Sequence, residues 1–168
     1  MTRTCWRTAT WCGIFVLAWC LLSGTAAWAQ LADKKALTLA VVKQVAAAAA
    51  AEAEKNNWTV VIAIVDEGGH LVYLERRDET QIGSIEVAIE KAKTAARFKR
   101  PTKALDDALS GGRMAILALP GALPLEGGLP IAVDDKVLGA IGVSGVTGQQ
   151  DAQIAKSGVD ALPKILGK

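Results

Sequence analysis

The chain has 168 residues, with 19 basic and 17 acidic side chains, three cysteines and 5% aromatic residues. This near balance of charge argues against a nucleic-acid-binding protein, which normally carries a basic surplus. A single histidine excludes metal sites that need several imidazoles.

The first 29 residues have the features of a secretory signal peptide. A basic start precedes an apolar run at residues 11–22, and Ala27 and Ala29 are small residues at the positions that a signal peptidase reads. We expect cleavage after Ala29 and a periplasmic or secreted product, residues 30–168, that has no membrane attachment. The alternative is an uncleaved anchor, because the apolar run approaches the roughly 18–20 residues that span a bilayer.

The expected mature chain is long enough for one domain with one buried core. Its basic and acidic residues balance at 17 each, because Arg3 and Arg7 belong to the leader. All three cysteines also belong to the leader. Disulfides, thiolate metal sites and a cysteine nucleophile are therefore excluded from the mature chain.

The first predicted elements are a helix and a hairpin. Apolar residues at helical spacing predict a helix that is capped by Thr38 and ends near Lys55. Thr59–Val65 is an uninterrupted apolar run, which is typical of a central strand covered on both faces. A turn at residues 66–69 then leads into a returning strand at His70–Arg76, which should be less buried.

Two helices and an ambiguous segment are expected in the middle of the chain. Ser84 fits the N-cap of a helix that Pro101 ends. A short helix, Lys103–Leu109, follows with Thr102 as its cap. Met114–Leu119 is either a fifth strand or an apolar loop.

A second hairpin and a last helix complete the chain. Leu129–Val133 and Val137–Ser144 flank a polar turn, and a helix follows Gly148. Glycines at every third position from Gly139 to Gly148 indicate close backbone approach, either to a flat ligand or to another strand or helix. The order of elements predicts a single α+β domain, in which helices pack on a mainly antiparallel sheet of two hairpins.

The candidate ligand-binding residues lie around the first hairpin. His70 could serve as an axial haem ligand or as a single general base, or it could be a solvated residue at a strand end. Arg76, Arg77 and Asp78 form a compact charged loop. This loop could hold a carboxylate, including a haem propionate, or could be solvated with an internal ion pair.

Glu86 and Glu90 are the candidate residues for a metal ion other than haem iron. They lie four residues apart on one face of a predicted helix, within reach of a common cation such as iron. The same spacing is frequent on solvated helix faces, and Lys93 and Arg97 are nearby. None of these groups forms a strong catalytic constellation, so a binding protein is favoured over an enzyme.

Three blocks closely resemble the family of haem-binding HbpS-like and GlcG proteins: GSIEVAIEKAKTAARFKRPT (Gly83–Thr102), GGLPIAVDD (Gly127–Asp135) and GAIGVSGVTGQQDAQIAKSGVDAL (Gly139–Leu162). The family domain also occurs at the C-terminus of some corrinoid adenosyltransferases. The resemblance runs from Leu37 to about Leu166. It implies a small α+β domain that assembles into symmetric homo-oligomers. It also implies haem binding by secreted members, and haem breakdown or iron capture by some.

The chain departs from the family pattern at two turns. Glu79 replaces the glycine of the family's Arg-x-Asp-Gly loop, and Asp135 replaces a turn glycine. If the family's ligand is bound, His70 is the imidazole available to the iron, with Tyr73 and Met114 as weaker alternatives.

The sequence therefore supports an exported haem-binding protein as the leading hypothesis. The first alternative is an enzyme or accessory factor acting on a small hydroxy or oxo acid. In that case Arg76 or Arg77 would hold the carboxylate and His70 or Glu86 would move a proton. The second alternative is an oligomeric interaction module without a ligand.

Overall fold

A computed structural model describes residues 29–168. Lys35–Lys168 forms one compact unit, and residues 29–34 contain no helix or strand. The predicted leader lies outside the described residues, apart from Ala29. Within the described part of the chain, no helix is both long enough and apolar enough to cross a membrane.

The secondary structure alternates helices with two hairpins. In chain order the elements are α1 (Leu39–Lys55), β1 (Val61–Asp66), β2 (Leu71–Arg76), α2 (Ser84–Phe98), α3 (Lys103–Ser110), a 3-10 helix (Met114–Ala118), β3 (Gly128–Val133), β4 (Lys136–Ser144), α4 (Gly148–Asp160) and α5 (Leu162–Ile165). The α+β class, the single domain and both hairpins are confirmed.

The fifth strand is absent from the described residues. Met114–Ala118 is a 3-10 helix, in which only Ile116 is buried. Gly112 with a φ of 90° precedes this segment, and Pro120 follows it closely. Gly112 turns the backbone before the segment, and Pro120 has no N–H to donate to a neighbouring strand after it, so a paired strand is interrupted on both sides.

The four strands form one antiparallel sheet in the order β2-β1-β4-β3. Strands β1 and β4 are central, and their register places Val61 opposite Ser144 and Asp66 opposite Gly139. The first five residues of β1 are buried, whereas β2 is exposed at both ends. The predicted difference in burial between these two strands is confirmed.

Helices cover both faces of the sheet. The largest apolar cluster lies between one face and the helices α1, α4 and α5. Its fully buried members include Val42, Val45, Ile62, Ile64, Ile131, Ile141, Val143 and Ile154. Helix α2 covers the other face with small side chains, chiefly Ala88, Ala92, Ala95 and Ala96. These alanines allow α2 to lie close to the strands.

The regularly spaced glycines contribute to this close packing. A side chain at Gly142 would overlap the carbonyl oxygen of Ala88 in α2. One at Gly145 would overlap the carbonyl oxygen of Thr59, just before β1. The predicted close approach is confirmed, and at these two positions the partner is the protein's own backbone rather than a flat ligand.

Of the three predicted helix caps, Thr38 is confirmed, Thr102 is confirmed in position only, and Ser84 is wrong. The Thr38 hydroxyl accepts a backbone N–H of α1 at 3.3 Å. Ser84 lies inside α2, where it is buried with its Oγ 3.3 Å from Ser144 Oγ. Thr102 stands at the N-cap position of α3, but its Oγ1 makes no capping hydrogen bond and instead accepts the backbone N–H of Gly128 at 2.9 Å. The hydroxyls of Ser84 and Thr102 therefore form tertiary contacts instead of capping hydrogen bonds.

Both turns that lack a family glycine have a left-handed backbone in this chain. Glu79 has a φ of 63°, and Asp134 and Asp135 have φ values of 51° and 60°. A left-handed conformation costs a residue with a Cβ roughly 1–2 kcal/mol, whereas glycine adopts it without steric penalty. Both turns of this chain therefore hold residues with a Cβ in a backbone conformation that favours glycine.

We expect Glu79→Gly to increase the free energy of unfolding by about 0.5–1 kcal/mol, because relief of strain exceeds the added entropy of the unfolded chain. Urea denaturation followed by circular dichroism measures this change. Asp78→Gly is the control, since Asp78 is not among the residues with positive φ. That substitution should lower the free energy instead, and a loss of stability in Glu79→Gly would contradict the prediction.

Candidate functional site

His70 lies in the turn between β1 and β2, and its side chain is 83% exposed. Its Nδ1 lies 3.2 Å from each carboxylate oxygen of Asp66. The same carboxylate accepts the backbone N–H groups of Gly68 and His70 at 2.9 Å and 2.8 Å. Desolvation raises the pKa of Asp66, but these hydrogen bonds outweigh it and the net pKa is lowered.

This geometry suits an imidazole that ligates a metal. Metal-binding histidines commonly donate one ring N–H to a carboxylate, which orients the ring and leaves the other nitrogen for the metal. With its proton on Nδ1 facing Asp66, His70 would present Nε2 as the free acceptor. The structure places the ring on the surface, outside the linings of the two grooves described next.

The first groove, which we call the arginine groove, has a volume of about 510 Å³ and lies where α1 and β2 end. Its lining residues are Glu54, Asn57, Trp58, Thr59, Glu75, Arg76, Arg77 and Asp78. Arg77 is half-buried, and its guanidinium donates to the Ala50 carbonyl at 3.5 Å. Three carboxylates outnumber two guanidinium groups, so the groove is not strongly suited to a dianion.

Tyr73 lies on β2 and donates a hydrogen bond from its hydroxyl to Glu75 Oε2 at 2.7 Å. This hydrogen bond, with a smaller contribution from desolvation, raises the pKa of Tyr73 to about 12. Iron ligation by tyrosine requires the phenolate, which is scarce at neutral pH under these conditions. The environment of Tyr73 therefore opposes its use as a ligand.

The second groove, which we call the lysine groove, has a volume of about 430 Å³ and lies beside the start of α1. It is lined by Lys35, Ala36, Leu37, Thr38, Val41, Val133, Leu138, Leu162, Leu166 and Lys168. Lys35 Nζ and Lys168 Nζ lie 2.8 Å and 3.2 Å from the two carboxylate oxygens of Asp134. These ion pairs, Lys35 first, lower the pKa of Asp134.

The lysine groove was not predicted from the sequence. Its lining comes from the start of α1, the β3–β4 hairpin and the C-terminal residues, which are far apart in the chain. Only the folded arrangement brings these segments together. No local motif could have indicated it.

The structure separates His70 from the predicted arginine loop. They lie at opposite ends of β2, whose six residues span about 20 Å at roughly 3.3 Å per residue. In contrast, the lysine groove lies at the His70 end of the sheet. Gly139 pairs with Asp66, the partner of His70, and Leu37 of the groove packs directly over Gly139.

The remaining predicted ligands are apart from both grooves. Glu86 is exposed in the first turn of α2, and Glu90 forms an ion pair with Lys93 at 2.7 Å. Met114 is 64% exposed on the 3-10 helix. Among residues 29–168, no group of three histidine, cysteine or acidic side chains is arranged to hold a metal ion.

A buried ion pair was also missed. Lys91 of α2 and Asp151 of α4 are 4% and 2% exposed, with Nζ 2.8 Å from Oδ2. Lys91 also donates to the Val143 carbonyl at 3.0 Å, and Asp151 Oδ1 accepts the Val146 N–H at 3.2 Å. Desolvation raises the pKa of Asp151, although the Lys91 ammonium opposes this.

The position of Lys91 within its helix could have indicated this pair. It interrupts the buried alanine stripe of α2, where a lysine without a partner would be costly. The pair joins helices on the two faces of the sheet to the backbone of β4. Its hydrogen bonds are made within the protein, so its role in the described structure is architectural.

The fold and these sites define a small α+β domain with an exposed, carboxylate-oriented imidazole and two grooves large enough for small molecules. The chain belongs to the HbpS-like family, since the family model described as "Haem degrading protein HbpS-like" matches residues 37–160. The predicted family resemblance is thereby confirmed.

Individual relatives agree with this assignment. Protein GlcG of Escherichia coli K12 is 44% identical over 111 residues, which cover 66% of this chain and 83% of GlcG. A double mutant of HbpS from Streptomyces reticuli has a TM-score of 0.73 and 32% identity, covering 80% of this chain and 94% of HbpS. A PduOC complex with heme has a TM-score of 0.69 and 28% identity, covering 76% and 95%.

Proposed function

We propose that this protein is an exported haem-binding protein and that His70 is its iron ligand. The observation that carries the proposal is the Asp66-oriented, accessible imidazole of His70 in a domain of the HbpS-like family. Haem binding by a structural relative, PduOC, adds support. Haem would supply iron and porphyrin chemistry, and the residues of this chain would bind and orient it.

The donors present fit a haem group. A neutral imidazole is a common axial ligand, and the Asp66 carboxylate would increase its basicity and hold its orientation. The turn between β1 and β2 could not by itself bury a haem bound to His70, because the His70 side chain is 83% exposed. Leu71, the residue after His70, is 49% exposed, and its apolar side chain would contribute to a contact between copies in the proposed homo-oligomer.

Export is proposed from the leader at residues 1–29 and its small residues at the expected cleavage position. A chain that begins at Gln30 would have no thiol, so the exported protein could neither attach haem covalently nor ligate its iron through cysteine. The candidates left for iron ligation would then be His70, Tyr73 and Met114, and the raised pKa of Tyr73 disfavours that residue. This again favours His70, the single histidine of the sequence.

Haemin titration tests the proposal. Wild-type protein should give a Soret band, and His70→Ala should shift that band and weaken haemin affinity by about tenfold or more, because the iron loses an axial ligand. The matched control is Arg76→Ala at the other end of β2, which should leave the band position unchanged.

Each other outcome has a definite meaning. An unchanged spectrum in His70→Ala removes His70 from iron ligation. The absence of a haemin response in wild-type protein refutes the function, and thermal stabilisation by glycolate in that case would support the hydroxy-acid alternative instead.

A further inference from the structure

The lysine groove combines an aliphatic lining with two cations at one end of the domain. Six of its ten lining residues are leucine or valine, and its volume of about 430 Å³ is within the roughly 300–1,000 Å³ of small-ligand sites. Lys35 and Lys168 share one carboxylate, Asp134, so the three groups carry a net charge of +1. Such a groove is complementary to an apolar molecule with carboxylate groups.

The lysines can accept further carboxylates without leaving Asp134. Each ammonium has three donors, and only one contact per lysine is made with Asp134. Both side chains are more than half exposed, at 66% and 57%, so a ligand can reach them. The start of α1 lies in the same groove and has no acidic residue in its first turn, which keeps the local potential positive.

The groove and the His70 imidazole lie at the same end of the sheet and are linked by a short series of neighbouring residues. Leu37 packs over Gly139, Gly139 is paired with Asp66 on the neighbouring strand, and Asp66 holds His70. The arginine groove is less suitable, because it lies at the far end of β2 and its carboxylates outnumber its guanidinium groups.

We propose that the lysine groove receives the apolar porphyrin edge and that Lys35 and Lys168 bind the propionate carboxylates. This inference rests on the proposed haem binding, and it transfers the propionates from Arg76 and Arg77 to the lysines. In this arrangement, His70 would ligate the iron, and Lys35 and Lys168, from the two ends of the described chain, would bind the propionates.

The test uses metal-free protoporphyrin IX beside haemin, because the metal-free ring retains the propionates but cannot be ligated by His70. Binding to purified full-length protein is followed by porphyrin fluorescence and by Soret absorbance. In Lys35→Met/Lys168→Met, affinity for both porphyrins should fall by about tenfold or more. His70→Ala should weaken haemin alone.

Two control variants locate the effect. Lys103→Met/Lys156→Met also removes two exposed lysines, each paired with an aspartate, and should leave both affinities unchanged. Arg76→Met/Arg77→Met tests the rival groove and should also be neutral. Circular dichroism verifies that each variant is folded, which is expected because surface ion pairs contribute little stability.

The outcomes separate this inference from the proposed function. If wild-type protein binds haemin and the Lys35/Lys168 variant binds it equally well, the groove assignment is overturned while haem binding stands. A loss of affinity only in the arginine variant also overturns it. If wild-type protein binds neither porphyrin, both proposals are wrong.

Discussion

Lys91→Met should lower the free energy of unfolding by about 3–5 kcal/mol, because it leaves the Asp151 carboxylate buried without its counterion. The carboxylate oxygens of Asp151 would then keep only backbone hydrogen-bond donors such as the Val146 N–H. Urea denaturation at matched protein concentration, followed by circular dichroism, measures the change. The structure places this cost in the contacts of α2 and α4 with β4 rather than in a ligand site.

Two further variants test the mechanism. Lys93→Met removes a partly exposed lysine two residues away and should cost no more than about 1 kcal/mol. Lys91→Met/Asp151→Leu removes both charges and should recover much of the loss, since an apolar pair needs no counterion. If the double variant is no more stable than Lys91→Met, the unpaired charge is not the cause.

The Lys91→Met penalty should also depend on pH. Burial already raises the pKa of Asp151 in the wild type, so folded protein keeps this proton where unfolded protein has lost it. The contribution of Asp151 to stability therefore falls as pH rises through the raised pKa. Without the opposing ammonium the pKa rises further. The penalty should be smaller at about pH 5 than at about pH 7.5.

Gly142→Ala should lower the free energy of unfolding by about 3 kcal/mol or more, because the added methyl group would overlap the backbone of α2. The atoms in the way are the Ala88 carbonyl oxygen and the Ala92 amide nitrogen, which cannot move aside as a side chain can. To relieve the overlap, α2 would have to shift away from β4. Urea denaturation followed by circular dichroism measures this loss.

Gly83→Ala is the matched control for this substitution. A methyl group there has nothing within 4 Å, and the backbone φ of −58° is one that alanine adopts freely. The change should stay within about 0.5 kcal/mol. Equal losses in both variants would show that the sheet-to-helix distance is not responsible.

The hairpins and most helix limits could be predicted because their signals are local. Apolar runs, turn residues and helical spacing reflect which side chains each backbone conformation can bury. The buried run of β1 and the exposed ends of β2 followed from the same reasoning. Ser84 and Thr102 show the limit of this local reasoning. Their hydroxyls could cap helices, but they instead form hydrogen bonds with Ser144 and Gly128, which are distant in the sequence.

By itself, the sequence determined the fold class, the family, the absence of thiols after residue 29 and the single imidazole, because these depend on residue identity and local pattern. Only the tertiary structure decided that His70 is oriented by Asp66 and separated from Arg76 by the length of β2. It also formed the lysine groove and paired Lys91 with Asp151. The physical reason is that these arrangements join residues from distant segments, and only the packing of helices on the sheet sets the distances between them.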